Sequence, residues 1–155
     1  DILRRVDHAT IFFLIAATYT PIHIIQFKGL MRWGVLTLVW IAAVTGIVVK
    51  TVFFSGIPEW VGLLLYLGLG WAGIFSAIEL YRATGLRPLR PLIAGALFYT
   101  AGAVLDFLNW PVLIPGILGP HELFHVLVLS GVASHWEYIR RITIYAPVTD
   151  LYRQA

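Results

Sequence analysis

Six ionisable side chains of this 155-residue chain stand at the edges of apolar runs, and their types define the chemistry it can do. Asp7 and His8 open the first run, Asp106 lies near the end of the fourth, and His121, Glu122 and His125 open the fifth. On a helix, His121 and His125 differ by about 40° of rotation and one turn of rise. Two imidazoles so placed can bind one metal ion. Nitrogen donors at this spacing favour Zn²⁺, with iron or another transition metal as the alternatives. Two histidines with separate hydrogen bonds are the plainer reading, but Asp7 beside them in an apolar bundle favours the metal. The run His121-Glu122-Leu123-Phe124-His125 also fits H-E-x-x-H, in which the Glu serves a metalloprotease as general base. A protease needs a third ligand, which Asp106 is placed to supply. The simpler role of Glu122 is an acid in a helix's first turn, favoured by the dipole.

The elements that must carry these groups are long and almost uncharged. Residues 8–27, 33–49, 60–78, 91–105 and 123–136 contain no Asp, Glu, Lys or Arg. A membrane-spanning helix needs about 20 mostly apolar residues. With their flanks, these runs predict five spans near 8–27, 32–53, 60–80, 91–110 and 120–139. A soluble bundle would show one apolar stripe per helix, whereas these segments are apolar on every side. The breaks fall at Lys28-Gly29 with Arg32, at Gly56-Ile57-Pro58-Glu59, at Arg82 to Pro91, and in the Pro/Gly-rich stretch from Pro111 to Pro120. The expectation is an all-α transmembrane bundle in a single domain, 1–155. The first and fifth spans run the same way and the fourth runs opposite. Asp7, His8, Asp106, His121, Glu122 and His125 therefore gather at one depth, where ionisable groups are costly and point to function.

Composition narrows the classes further. Charged residues make up 12% of the chain and hydrophobic ones 59%, with a mean hydropathy of +0.84. Soluble domains carry about a quarter charged residues. The net charge of +3 rests on 11 Lys and Arg, too sparse to track phosphates, so nucleic acid is excluded as a partner. Membrane lipids are the expected partners, with self-association left open. With no cysteine there is neither a disulfide scaffold nor a thiolate site. The chain begins with Asp and its only Met is Met31, as expected of a processed or truncated chain.

Small residues such as Ala16, Ala43, Gly68, Gly70, Gly73, Gly95, Gly102 and Gly131 predict close helix packing. Trp33, Trp60, Trp110, Trp136 and Tyr138 are expected at the headgroups. His135 follows His121 by about 21 Å of helix and cannot share its ion. It and His23 are read as interfacial, and Glu79 with Arg82 as a local ion pair. Counting Arg4, Arg5 and Lys50 against Lys28, Arg32, Arg82, Arg87, Arg90, Arg140, Arg141 and Arg153 makes the side away from the metal group cytoplasmic.

Two motifs carry a resemblance. Leu3-Arg4-Arg5-Val6-Asp7-His8, followed by Ile15-Ala16-Ala17-Thr18-Tyr19-Thr20-Pro21, resembles the third-helix signature of hemolysin III proteins. Gly119-Pro120-His121-Glu122-Leu123-Phe124-His125 through Gly131, with His135-Trp136, resembles that family's last helix. Tyr66-Leu67-Gly68-Leu69-Gly70-Trp71 is similar to the middle of its fold. The family belongs with the progestin and adipoQ receptors, seven-helix membrane proteins that include the adiponectin receptors.

The resemblance implies a zinc ion near one membrane face, held by three His and a water. His121 and His125 match two of them, and Asp7 matches the Asp that contacts the zinc-bound water. The remaining His belongs to a second helix that would precede residue 1. On that reading the chain is the last five helices of seven, with an incomplete site that binds zinc loosely and is inactive, and Asp106 or His8 is the fallback ligand. The residue at Glu122 varies in the family, against the protease. In the animal receptors the zinc end faces the cytoplasm, opposite to the charge count.

Three functions compete. The first is a zinc-dependent, ceramidase-like hydrolase of a lipid amide or ester, with Asp7 accepting a proton. The second is a receptor or regulator of membrane state with structural zinc, and the third a pore-forming protein. No span carries a polar stripe long enough to line a pore, so the pore ranks last.

Overall fold

In lipid every backbone N–H and C=O must be paired within its own segment, so long uncharged runs fold as helices. The computed structural model describes residues 2–53, 56 and 58–145, without the side chains of residues 2–5, 8, 59 and 145. What the sequence assigns to the side chains of Arg4, Arg5, His8 and Arg153 therefore lies outside the described residues. The helices are α1 (Ile2–Gln26), α2 (Gly29–Val52), α3 (Glu59–Trp71), α4 (Ile74–Thr84), α5 (Leu86–Phe107) and α6 (Pro120–Tyr145). No strand forms among the described residues, and a lone bridge between Ile114 and Leu118 closes the turn that leads into α6.

Among the described residues, four stretches are long and apolar enough to cross a membrane: Ala9–Gln26, Gly29–Val52, Trp60–Thr84 and Leu86–Phe107. The fifth expected span, α6, has the length at 26 residues but is not among them. His121, Glu122, His125, His135, Glu137, Arg140 and Arg141 all lie along it. The outward surface of the bundle is apolar. Leu38 on α2, Phe75 on α4 and Leu129 on α6 are 69%, 72% and 68% exposed. Water would not tolerate so large a patch on a monomer, and lipid does. This is a polytopic helical membrane bundle.

Three boundaries depart from the sequence reading. Helix α1 starts at Ile2, so Asp7 sits on a formed helix and not at its mouth. The break expected from Arg82 to Pro91 shrinks to Gly85, whose φ of +75° a side chain would strain. Pro88 falls in the first turn of α5, where an N–H has no intrahelical partner to lose. Third, the span at 60–80 is interrupted between Trp71 and Ile74. The Tyr19 hydroxyl lies 3.0 Å from the Leu69 carbonyl and 2.9 Å from that of Gly70, acceptors that a continuous helix would use itself. A side chain inserted into the i→i−4 ladder is a recognised cause of such a break.

The bundle is two helical hairpins and a bridge. Helices α5 and α6 form the most extensive pair, and α1 and α2 the next. Helix α3 touches α1, α2 and α5, α4 lies on α5, and α1 meets α6 along a thinner seam. Phe12, Ala16, Val39, Ala43 and Leu69 form one core cluster. Ile22, Phe27, Leu80, Leu89, Tyr138 and Ile142 form another at the far end of α1. Tyr138 is thus a core residue, 2% exposed, and not part of a headgroup belt. Trp33, Trp60, Trp110 and Trp136 are each more than half exposed, as the belt requires.

Small residues set the spacing of the α5–α6 pair. A Cβ at Gly102 would lie 3.1 Å from that of Leu127 and 3.3 Å from the Phe124 ring, and Gly131 has no room for one beside Tyr99. A Cβ at Gly68 or Gly70 would meet nothing within 4 Å among the described residues, so neither sets a helix contact there.

Candidate metal centre

Antiparallel packing of α5 on α6 brings the end of one helix to the start of the other, and α1 delivers its first turns to the same level. The α5–α6 connection holds Asn109 at φ +52°, a cis Trp110-Pro111 bond and Gly116 at φ +77°. Asn tolerates the left-handed region better than most residues. Helix α6 then begins at Pro120, and Glu122 reaches back so that the Gly119 N–H donates to its Oε2 at 2.9 Å. That is one half of a capping box. Glu122 is occupied by the helix start, which leaves the H-E-x-x-H pattern without its general base.

His121 and His125 turn their Nε2 atoms toward each other at 3.1 Å, with ring planes 82° apart. The Asp7 carboxylate on α1 faces both. Its Oδ2 is 3.6 Å from His121 Nε2, and its Oδ1 is 3.5 Å from His125 Nε2. Among the described residues, Asp7, His121 and His125 form the group whose donor atoms converge as metal ligands do. Asp7 Oδ2 is buried and has no hydrogen-bond partner. Unpaired buried oxygens are rare and call for an explanation, a role in binding an ion among them.

The spacing fits a cation. Ligands about 2.0–2.2 Å from a tetrahedral Zn²⁺ stand about 3.3–3.6 Å apart. The two Nε2 atoms stand 3.1 Å apart, and each meets its nearest Asp7 oxygen at 3.5 or 3.6 Å, close to that value, with the two contacts falling on different oxygens of the carboxylate. Both imidazoles are about half exposed, at 48% and 46%, so the group is open on one side.

Asp106 does not join this set. Its Oδ1 lies 3.2 Å from His121 Nδ1, on the side of the ring away from His125 and Asp7. The expected fallback ligand is instead a hydrogen-bond partner of His121 on the other side of its ring. Sequence spacing alone could not show this, because it fixes the level of Asp106 and not which ring nitrogen it meets.

Among the described side chains, His23 and His135 stand apart. His23 is 1% exposed, not interfacial; its Nδ1 lies 3.0 Å from the Tyr19 carbonyl and its Nε2 2.9 Å from Ser76 Oγ. His135 reaches the Leu92 carbonyl at 3.2 Å and meets Tyr99 edge-on. Glu79 and Arg82 form the expected exposed pair at 2.9 Å.

Below the metal group, apolar space opens between the helices. Ile11, one turn on from Asp7, and Phe124, beside His125, line a cavity of about 80 Å³ with Leu14, Tyr66 and Tyr99. Thr18, Tyr19, Trp71 and Ala96 line both it and a cavity of about 360 Å³ that extends to His23 and Ser76.

Fold and site together define an integral multi-pass membrane protein with an Asp/His/His group at one end of its bundle. The chain matches the haemolysin-III related family over residues 1–136 and belongs to it. It is 33% identical over 127 residues to Hemolysin-3 of Bacillus cereus, covering 82% of this chain and 55% of that protein. It is 34% identical over 134 residues to the Hemolysin-3 homolog of Bacillus subtilis (strain 168), covering 86% and 60%. It is 28% identical over 152 residues to the heptahelical transmembrane protein ADIPOR3 of Oryza sativa subsp. japonica, covering 87% and 37%. The chain thus spans little more than half the length of its bacterial relatives. No solved structure matches it significantly.

Proposed function

We propose that this chain carries the metal centre of a membrane-embedded hydrolase acting on a lipid amide or ester. The observation that carries the reading is the convergence of His121 Nε2, His125 Nε2 and the Asp7 carboxylate within 3.1–3.6 Å, on an open side of the bundle. A structural zinc site is closed by four protein ligands, whereas three protein donors leave a position for water. That difference favours hydrolysis over a receptor with structural zinc. A Zn²⁺ ion bound there supplies Lewis acidity and brings the pKa of a bound water to about 7.

The side chains divide the remaining work. His121 and His125 hold the ion through Nε2, each with that nitrogen deprotonated. Asp7 offers two oxygens, and Oδ2, without a hydrogen-bond partner, is suited to take a proton from an attacking water. The small cavity beside Ile11 and Phe124 shares Thr18, Tyr19, Trp71 and Ala96 with the larger one of about 360 Å³, and together they offer an acyl chain apolar space on the Asp7 side of the bundle and beyond it.

The test is metal analysis and lipid turnover on the chain purified in detergent. With Asp7 as a third donor beside the two imidazoles, the reading departs from the expectation of a loosely held ion and an inactive chain: it expects zinc in the wild-type chain, reduced to background in His125→Ala, and hydrolysis of a fluorogenic lipid amide or ester that fails in Asp7→Asn. Equal zinc in wild type and His125→Ala overturns the metal centre. Zinc retained with no turnover of either lipid class overturns the hydrolase and leaves the receptor.

A further inference from the structure

We infer that Asp106 is a positioning residue for the metal centre: it fixes the tautomer and orientation of His121 so that Nε2 presents its lone pair to the ion. This inference rests on the metal-binding reading above and adds a residue outside the Asp/His/His group.

The chemistry follows from which nitrogen meets which acceptor. An ionised carboxylate only accepts hydrogen bonds. With Asp106 Oδ1 3.2 Å from Nδ1, the imidazole hydrogen belongs on Nδ1, and the lone pair falls on Nε2. That is the nitrogen facing His125 and Asp7. With the lone pair on His121 Nε2, the 3.1 Å contact places its hydrogen on His125 Nε2, and a bound cation would stand between the two nitrogens in its place. Metal-ligating histidines generally donate their other N–H to a carboxylate or carbonyl, which orients the ring and raises its basicity.

Helix register makes the pairing more than a chance contact. Seven residues before and after one another on α5, Gly95 and Gly102 are close-approach positions against α6, Gly95 at Gly131 and His135, Gly102 at Phe124 and Leu127. Antiparallel packing then advances one turn on α5 from Gly102 to Asp106 as it retreats one turn on α6 from Phe124 to His121. The most extensive helix contact of the molecule thereby holds the carboxylate at the level of the ring. Asp7, by contrast, reaches the site across the thinner α1–α6 seam. Asp106 orients His121 from within its own hairpin, without a contact from α1.

The experiment titrates Zn²⁺ and Co²⁺ against a chelator in the purified chain and its Asp106→Asn and His121→Ala variants. It also records the imidazole ¹⁵N spectrum of the metal-free wild type. Asp106→Asn is expected to weaken Zn²⁺ binding by about 10–100-fold, the usual effect of removing such a partner. Its Co²⁺ form should keep the intense four-coordinate absorption that His121→Ala loses. The ¹⁵N spectrum should show His121 protonated on Nδ1. Unchanged Zn²⁺ affinity in Asp106→Asn overturns the inference. So does loss of the Co²⁺ band to the extent seen in His121→Ala, which would make Asp106 a ligand. If the wild-type chain takes up no metal, the metal centre fails, and an Nε2–H tautomer of His121 rejects the role of Asp106 independently.

Discussion

Histidine occupies both ends of this bundle, and the two ends use it in opposite ways. At the far end of α1, His23 is stacked against Tyr19 and Phe27, with ring centroids 5.5 and 4.9 Å away. Its Nδ1–H donates to the Tyr19 carbonyl and its Nε2 accepts from the Ser76 hydroxyl, so both nitrogens are satisfied by the chain itself. At the near end, His121 and His125 point nitrogens at each other and at a carboxylate with a buried, unpaired oxygen. The first arrangement is complete without a ligand, and the second leaves donor atoms that a ligand would complete. Residue type does not separate the cases; the number of lone pairs left converging does.

The sharpest way to break the comparison is to remove one imidazole at each end. His125→Ala should abolish stoichiometric zinc and leave the far-end packing intact. His23→Leu should do the reverse: normal zinc, but a stability loss of about 1–3 kcal/mol, because the buried Ser76 hydroxyl loses its acceptor. Metal analysis and chemical denaturation in detergent read the two effects separately. Zinc loss in His23→Leu at full stability would show that the ends are coupled and not separate in role.

The sequence allowed the near end to be read further than the far end, for a physical reason. Asp7, His121 and His125 stand out because ionisable groups are rare in apolar spans, and counting helix directions puts them on one side. His23 offers no such contrast, since its burial depends on Ser76, 53 residues away. Tyr138 reads as a belt aromatic until Ile22, Leu80 and Leu89 are seen packed around it. Asp106 was legible in depth but not in role, because helical spacing does not distinguish Nδ1 from Nε2. Glu122 was legible as a first-turn acid, and the structure adds the Gly119 N–H that it caps.

A smaller perturbation tests whether the near end depends on its hairpin. Gly102 lies one turn before Asp106, against Phe124 and Leu127. Gly102→Val would force α5 from α6 and cost about 1–3 kcal/mol as overpacking. It should also weaken zinc binding, because the Asp106–His121 distance is set by that contact. Gly68→Ala, on a position facing open space, is the control and should change neither quantity. If Gly102→Val lowers stability while zinc affinity stays at the wild-type value, the hairpin does not hold the site.

The smallest expected effect belongs to Tyr19, whose hydroxyl sits at the α3–α4 break and lines the larger cavity. One O–H is shared between the Leu69 and Gly70 carbonyls, and the Gly73 N–H also turns to Gly70 at 3.2 Å. Tyr19→Phe removes the donor while keeping the ring that stacks on His23. The carbonyl left without it costs about 1 kcal/mol, the net worth of one hydrogen bond, unless the helix closes over the break. Closure would give the Leu69 and Gly70 carbonyls the N–H groups of Gly73 and Ile74, and the loss would shrink toward zero. Amide hydrogen exchange at Gly73 and Ile74 distinguishes the two: unchanged exchange with a loss of about 1 kcal/mol, or slowed exchange with little loss. In either case zinc content should not move, since Tyr19 lies three turns along α1 from Asp7. A fall in zinc with Tyr19→Phe would mean that the break is transmitted along α1 to Asp7, and that the two ends of the bundle share one mechanical unit.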